Sequence, residues 1–328
     1  MTGHQFSSRL KEDMEGLLEQ KHALGSPYIV SGRILLEFDR FCQKHFPDAE
    51  TITPELAMAW AVIKPTEKPE SFRNRMAPVR ELARYMARSG REACTIPKGI
   101  VPRQGQRHMP HIFTMDELGK FFQAADSQPV MPGSALRHLQ IPVIFRLMYA
   151  CGLRPNEARL IRTADMSRGC GTLSIPESKG HKDRMVRLPA GLAGICRRYS
   201  GHLEAQFPGS EFFFPCQRHG GRHYSAGWLI DAFRCCWEGA GLDAACGNRP
   251  RPYDLRHTFA THRLYQWMAE GKDLSVCLPY LSAYMGHASF SATAYYIHLV
   301  PEIFSGMSGM DRNRFEGLIP EVPHEDKR

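Results

Sequence analysis

The sequence predicts a mostly α-helical protein of two domains, with a small β-sheet confined to the second. Three observations predict it. A chain of 328 residues exceeds what one hydrophobic core usually organises. Helical periodicity, bounded by capping residues and by Pro and Gly stops, fills residues 8–90 and returns after residue 112. Between these regions lies "CTIPKGIVPRQGQRHMPHIF", a basic Pro/Gly stretch with no helical period, which reads as a linker. The expected divisions are a helical domain over 1–95, a linker over 96–111, a second domain over 112–300 and a tail over 301–328.

The first helix runs from about Ser8 to Leu24 and stops at Gly25 and Pro27. The second, "SGRILLEFDRFCQKHF", takes Ser31 as its cap and ends before Pro47. In "TPELAMAWAVI", Thr53 caps and Pro54 occupies the first helical position. The fourth, "PESFRNRMAPVRELARYMARSG", ends at Gly90, and its interior Pro78 predicts a kink.

That fourth helix carries a stripe. At 100° per residue, Arg73, Arg80, Arg84, Arg88 and Arg91 fall within an arc of about 80°, opposite Val79, Leu82, Ala83 and Met86. Between Ser71 and Met109 nine Lys and Arg, among them Lys98, Arg103 and Arg107, face only Glu81 and Glu92. With a net charge of +8 on the whole chain, the one-sign stripe and the basic linker point to phosphate contacts, and so to a polyanionic partner.

Other classes are disfavoured. The N-terminus "MTGHQFSSRLKEDMEG" has no apolar signal core, and no apolar run approaches the ~18 residues of a membrane span. A cytoplasmic protein without a membrane partner is expected. The ten cysteines are scattered and read as free thiols. Cys216, His219 and His223 in "CQRHGGRHY" have metal-like spacing, but no CxxC pair completes a site, so no metal or other cofactor is expected.

The second domain opens at "TMDELGKFFQAA", where Thr114 and Glu117 form a capping box. The apolar helix "IPVIFRLMYACGL" closes at Gly152, and "GTLSI" and "RMVRL" flank the polar "PESKGHKD" as a hairpin. In "GLRPNEARLI", Pro155 opens a helix, placing Arg154 at the N-cap and Glu157 at the third position; this suits an anion site or a structural ion pair. Lys179 and Lys182 sit in the hairpin turn, either solvated or reaching into a cleft. In "RPYDLRHTFATHRL", Pro252 opens a helix on which Arg256, Ala260 and Arg263 share a face, a pattern that by itself reads as an amphipathic helix with an exposed arginine. Gly286 ends "LPYLSAYM", leaving His287 in a turn. Ser289 or Ser291 caps the next helix, where Tyr295 and Tyr296 point about 100° apart, so at most one faces a cleft bordered by His287.

Each motif is weak alone, but their order is informative. Arg154 in "GLRPNE", Lys179 in "KGHK", Arg256 in "LRHTFATH", His287 in "MGH" and Tyr296 nine residues later resemble the tyrosine recombinase (phage integrase) family, with Xer-like wording over about residues 110–300. The resemblance implies an α+β catalytic domain preceded by a helical core-binding domain of the SAM-like kind. It implies a DNA strand transferase without metal or ATP, acting at a double-stranded recombination site. Tyr296 would be the nucleophile, Arg154 and Arg256 the guanidiniums on the scissile phosphate, Lys179 the general acid, His287 a phosphate ligand and Glu157 an orienting carboxylate. Four subunits on two duplexes, the tail docking on a neighbour, possible partner recombinases and a nucleoid location complete the expectation. The two domains would clamp DNA, with Lys182 and the Arg80, Arg84 and Arg88 stripe on its phosphates.

One position departs from the family. Its second motif usually reads His-x-x-Arg, and here Tyr253 stands in the place of that histidine. A phenol, with an ordinary pKa of about 10, is a poor base but can donate a hydrogen bond to phosphate. His257 follows Arg256 on another helical face, so it is not expected to substitute simply. A type IB topoisomerase-like nicking-closing enzyme and a catalytically weak DNA-binding accessory protein of a transposition system stay open as alternatives.

Overall fold

The computed structural model describes residues 5–97, 109–178, 182–242, 249–287, 293 and 295–296. Lys98, Arg103, Arg107, Lys179, the capping candidates Ser289 and Ser291, and the tail 301–328 lie outside the described residues. The chain divides into two compact units, 1–109 and 110–328.

The first unit is built from α1 (Lys11–Ala23), α2 (Ile29–His45), α3 (Pro54–Trp60) and α4 (Pro69–Arg88). Its core gathers Leu10, Met14, Leu35, Phe38, Trp60, Val79 and Leu82, with Phe38 edge-on to Trp60 at 5.1 Å between centroids. Thr53 caps α3, its hydroxyl accepting from the Leu56 N–H at 3.2 Å. One local expectation is corrected. Helix α2 starts at Ile29, before Ser31, with Tyr28 at its N-cap in the left-handed region (φ 43°). Helix α4 spans Pro69–Arg88 with Pro78 inside it; a proline removes one backbone donor but does not have to end the helix.

The larger correction concerns the arginine stripe. Arg80 is buried and donates from Nε and Nη2 to the carbonyls of Ile96 and Pro97, both at 2.8 Å. The segment after α4 folds back across it, so this guanidinium satisfies backbone carbonyls and is not on a phosphate-facing surface. Arg75 is likewise buried, paired with Glu67 at 2.7 Å and stacked on Trp60. Arg91 is drawn to Asp13 and the Glu50 carbonyl, and Arg84 and Arg73 pair with Glu81 and Glu70 one turn away. Arg88 is exposed. Periodicity could not show that later chain covers Arg80.

The second unit is mostly helical, with α5 (Met115–Asp126), α6 (Arg137–Ala150), α7 (Pro155–Arg159), α8 (Ala190–Gln206), α9 (Ala226–Gly239), α10 (Pro252–Ala269) and α11 (Leu274–Met285). Helix α6 is its centre, burying Ile141, Val143, Ile144, Phe145, Leu147 and Met148. An aromatic cluster of Phe113, Phe121, Phe145, Phe233 and Trp237 packs mainly edge to face beside it. The hairpin expected from the sequence is present: β1 (Thr172–Ser178) pairs antiparallel with β2 (Lys182–Arg187), in register Leu173↔Val186 and Ile175↔Arg184, with an irregularity before Ser178↔Lys182. A second short pair joins β3 (Pro215–Cys216) to β4 (Arg222–His223). The Thr114–Glu117 capping box forms as read, and the Phe113 N–H donates to the Thr258 hydroxyl at 3.1 Å, tying the start of the unit to α10. A second apolar cluster, with Phe259, Leu264, Leu278, Leu281 and Met285, joins α10 to α11 and receives Tyr296.

Candidate active site

Four elements of the second unit bring the charged residues together: the N-terminus of α7, strand β2, the first turns of α10 and the turn after α11. Gly152 turns the chain from α6 into α7 with φ +60°, and a Cβ there would lie 2.6 Å from Phe259 Cδ1, so only glycine fits. Arg154 follows as the N-cap of α7, with Glu157 at the third helical position. The Arg154 N–H donates to Glu157 Oε2 at 2.8 Å and its Nη1 to Oε1 at 2.5 Å.

Arg256 is not the exposed arginine that helical periodicity alone suggests; it is fully buried. Its Nη1 donates to the Gly152 carbonyl at 2.5 Å and its Nη2 to the Met285 carbonyl at 2.7 Å. Arg154 Nη2 donates to the next carbonyl, Gly286, at 2.6 Å. The two guanidiniums thus fasten the end of α11, where Gly286 adopts a left-handed conformation (φ 62°) and releases His287. Burial acts to raise the Glu157 pKa, but hydrogen bonds from Arg184 and Arg154, and their charges, outweigh it and hold the carboxyl at about 2.

His287 and Tyr296 lie beside these arginines. His287 Nδ1 is 2.7 Å from the Thr293 hydroxyl. Burial first, then the charges of Arg256, Arg154 and Arg184, lower its pKa to about 4, so the ring is neutral near pH 7. Tyr296 is 2% exposed, whereas Tyr295 is only half-buried. Burial raises the Tyr296 pKa, and the Arg256 charge opposes that rise. Of the two tyrosines, Tyr296 is therefore the one set among the arginines. Tyr253 opens α10 near both, and its phenol is felt electrostatically by Arg256 and Tyr296.

One residue escaped the sequence reading. Arg184, on β2, donates to Glu157 through Nη1 at 3.0 Å and Nη2 at 2.7 Å. The signal was the strand's period of two: Val186 and Leu188 point inward and are buried, so Arg184 faces the same way, while Met185 is exposed. His257 was read as lying on another helical face from Arg256, and the structure sets it beside both tyrosines. Its ring lies 4.9 Å from that of Tyr253 and 5.5 Å from that of Tyr296. A helical wheel places His257 away from Arg256, but Tyr296 arrives from a separate segment and spans both faces.

The remaining candidates are placed as follows. Lys182 pairs through its backbone with Ser178 at the start of β2, directly after residues 179–181. Among the described residues no three His, Cys, Asp or Glu side chains assemble a metal site; His223 Nδ1 lies 3.1 Å from Arg159 Nη1. The described cysteines are free thiols, and no helix among the described residues is long and apolar enough to cross a membrane.

Comparison with known proteins shows the family. The chain is 29% identical over 302 residues to the putative integrase/recombinase y4rB of Sinorhizobium fredii, covering 90% of this chain and 95% of that one. It is 27% identical over 242 residues to the tyrosine recombinase XerD of Brucella abortus, covering 71% and 73%. Its fold is similar to that of the XerH site-specific recombinase solved on a palindromic difH substrate in a post-cleavage complex, with a TM-score of 0.61 at 20% identity over 84% of this chain and 77% of the other. The model of the phage integrase family matches residues 112–302, more than half of the chain and all of the arginine cluster. The chain belongs to the phage integrase family of tyrosine recombinases.

Proposed function

We propose that this enzyme is a site-specific recombinase that cuts and rejoins double-stranded DNA through a 3′-phosphotyrosyl bond to Tyr296, without metal or ATP. The observation that carries the reading is the placement of the buried Tyr296 phenol against Arg256, in a cluster that Glu157 joins to Arg154.

The phenol oxygen attacks the scissile phosphorus as the bond to the 5′-oxygen breaks. Negative charge gathers on the non-bridging oxygens, where Arg154 and Arg256 offer planar donor forks that stay charged at any working pH. Held by backbone carbonyls, these forks need little reorganisation during the reaction, which is where fixed charge is most effective. Neutral His287 donates a hydrogen bond to the phosphate. Tyr253, in the place of the family's usual histidine, donates another. The phenolic proton passes to His257, whose imidazole lies against both tyrosine rings. Lys179 returns a proton to the departing 5′-oxygen.

The phosphotyrosyl bond conserves the energy of the broken diester. A 5′-hydroxyl from a second duplex therefore reverses the step, and that reversal is strand exchange. Four subunits on two duplexes, with the tail 301–328 reaching a neighbour and partner recombinases as further candidates, would carry it out in the cytoplasm, on the nucleoid. The helical unit 1–95 and the linker would supply DNA contacts through Arg73, Arg84, Arg88, Lys98, Arg103 and Arg107; Lys182 would add one from β2.

The test is a suicide duplex nicked beside a site chosen by selection of bound genomic fragments. A covalent protein–DNA band, formed in the presence of a chelator and lost in Tyr296→Phe, is the expected result. No band on a well-bound duplex would favour the accessory-protein reading, for which Tyr253 is the supporting observation.

A further inference from the structure

Glu157 is ringed by three guanidiniums, and the roles above leave one of them without a part in the reaction. Arg184 grips both carboxylate oxygens, at 3.0 Å and 2.7 Å, and its side chain is 8% exposed. Arg154 shares the same two oxygens through Nη1 and its backbone N–H, and Arg256 Nη1 stands 3.9 Å from Oε2. Building on the proposed function, we infer that Arg184 is a positioning residue of this site. It takes up the charge of Glu157, so that the carboxylate orients Arg154 and Arg256 without cancelling the positive charge they present to a phosphate.

The charge balance argues for this role. A carboxylate facing only Arg154 and Arg256 would cancel half of their combined charge, at short range where low dielectric makes the loss greatest. With Arg184 included, the four side chains keep a net charge of +2. That is matched to a phosphodiester whose charge grows as a phenolate adds to it.

The local structure supports the same conclusion. Arg184 stands on the inward face of β2, opposite Ile175 and two residues before Val186, both buried. Strand alternation calls for an apolar side chain there, and an apolar residue of similar volume often packs as well as a buried ion pair or better. Stability alone therefore does not account for an arginine. Its two parallel hydrogen bonds also fix the plane of the carboxylate, and that plane sets the direction of Arg154 Nη1.

The test is the single-turnover rate of Tyr296–DNA adduct formation by the full chain on a suicide duplex, carrying either an ordinary or a methylphosphonate scissile linkage. Arg184→Met is expected to slow the ordinary reaction about 10-fold to 100-fold, with DNA binding retained. Adding Glu157→Gln to Arg184→Met should recover part of that loss, because the uncompensated carboxylate is then gone. On the methylphosphonate, which carries one negative charge fewer, the Arg184→Met defect should shrink. If Arg184→Met does not fold, Arg184→Gln, which keeps a donor and loses the charge, is read in the same way.

An Arg184→Met rate equal to that of the unmodified chain would overturn the inference. So would a double variant slower than Arg184→Met, or a defect unchanged on the methylphosphonate; each is what a purely structural arginine would give. Absence of any Tyr296-dependent adduct with the unmodified chain would instead remove the proposed function, and this inference with it.

Discussion

The imidazole of His287 and the ring of Tyr296 lie nearly parallel, 14° apart with centroids separated by 6.0 Å. Tyr295 meets Tyr296 at 64° and is only half-buried. Under the proposed function, the buried Tyr296 is the nucleophile of this adjacent pair. Tyr296→Phe should abolish the covalent adduct and leave the DNA dissociation constant unchanged, while Tyr295→Phe should keep the adduct. Loss of the adduct in Tyr295→Phe alone would reverse the assignment.

Acid should weaken the second unit in two stages. His287 titrates near 6.5 in an unfolded chain and at about 4 here, so the unfolded state binds the extra proton first. Its contribution is complete above pH 6.5 and is lost as pH falls toward 4. Glu157 shifts from 4.5 to about 2, so its contribution disappears between those values. Melting temperature followed against pH should drop in the first window, and His287→Asn should flatten that drop. An unaltered slope in the variant would contradict the lowered histidine pKa.

Removing the carboxylate should damage folding as well as chemistry. Glu157→Ala leaves guanidiniums buried without their common counter-charge, a change that costs about 3–5 kcal/mol. Urea denaturation of the second unit should report it, with Glu157→Gln milder because the amide oxygen still accepts. A loss below about 1 kcal/mol would mean that solvent reaches the cluster freely.

At the start of α10, His257→Ala should slow adduct formation about 100-fold. Tyr253→Phe should slow it about 10-fold, the loss of one hydrogen bond to a charged group. Tyr253→His should remain active. Full activity of His257→Ala would move the proton acceptor elsewhere.

Gly152→Ala should destabilise by about 1–3 kcal/mol, because it forces a left-handed alanine against Phe259. The same turn presents the carbonyl that holds Arg256. Melting temperature and adduct rate should therefore fall together; a lower melting temperature with normal kinetics would show that Arg256 does not depend on the turn.

Much of the fold was legible because the relevant signals are local. Pro155 and Pro252 open their helices, Gly286 closes α11, Thr53 and Thr114 cap, and the alternation in "GTLSI" and "RMVRL" makes a hairpin. Arg154 and Glu157 were readable for the same reason, since an N-cap and the third helical residue are neighbours. What failed was long-range. No helical wheel shows that Ile96 and Pro97 return over Arg80. None shows that Tyr296 will lie against His257, 39 positions earlier in the chain. Arg184 lay between these cases: its inward direction was written in the strand, but its partner belonged to another element.

Arg154 and Arg256 hold the carbonyls of Gly286 and Met285, the last residues before His287. The groups proposed to meet the substrate are thus also the struts of the turn beside it. A site wired in this way has little room for neutral drift, because a change at either arginine alters scaffold and reactivity together. Variation in this enzyme should accumulate where no strut is shared, as at exposed Arg88, and new DNA preferences should arise there without disturbing the cut itself.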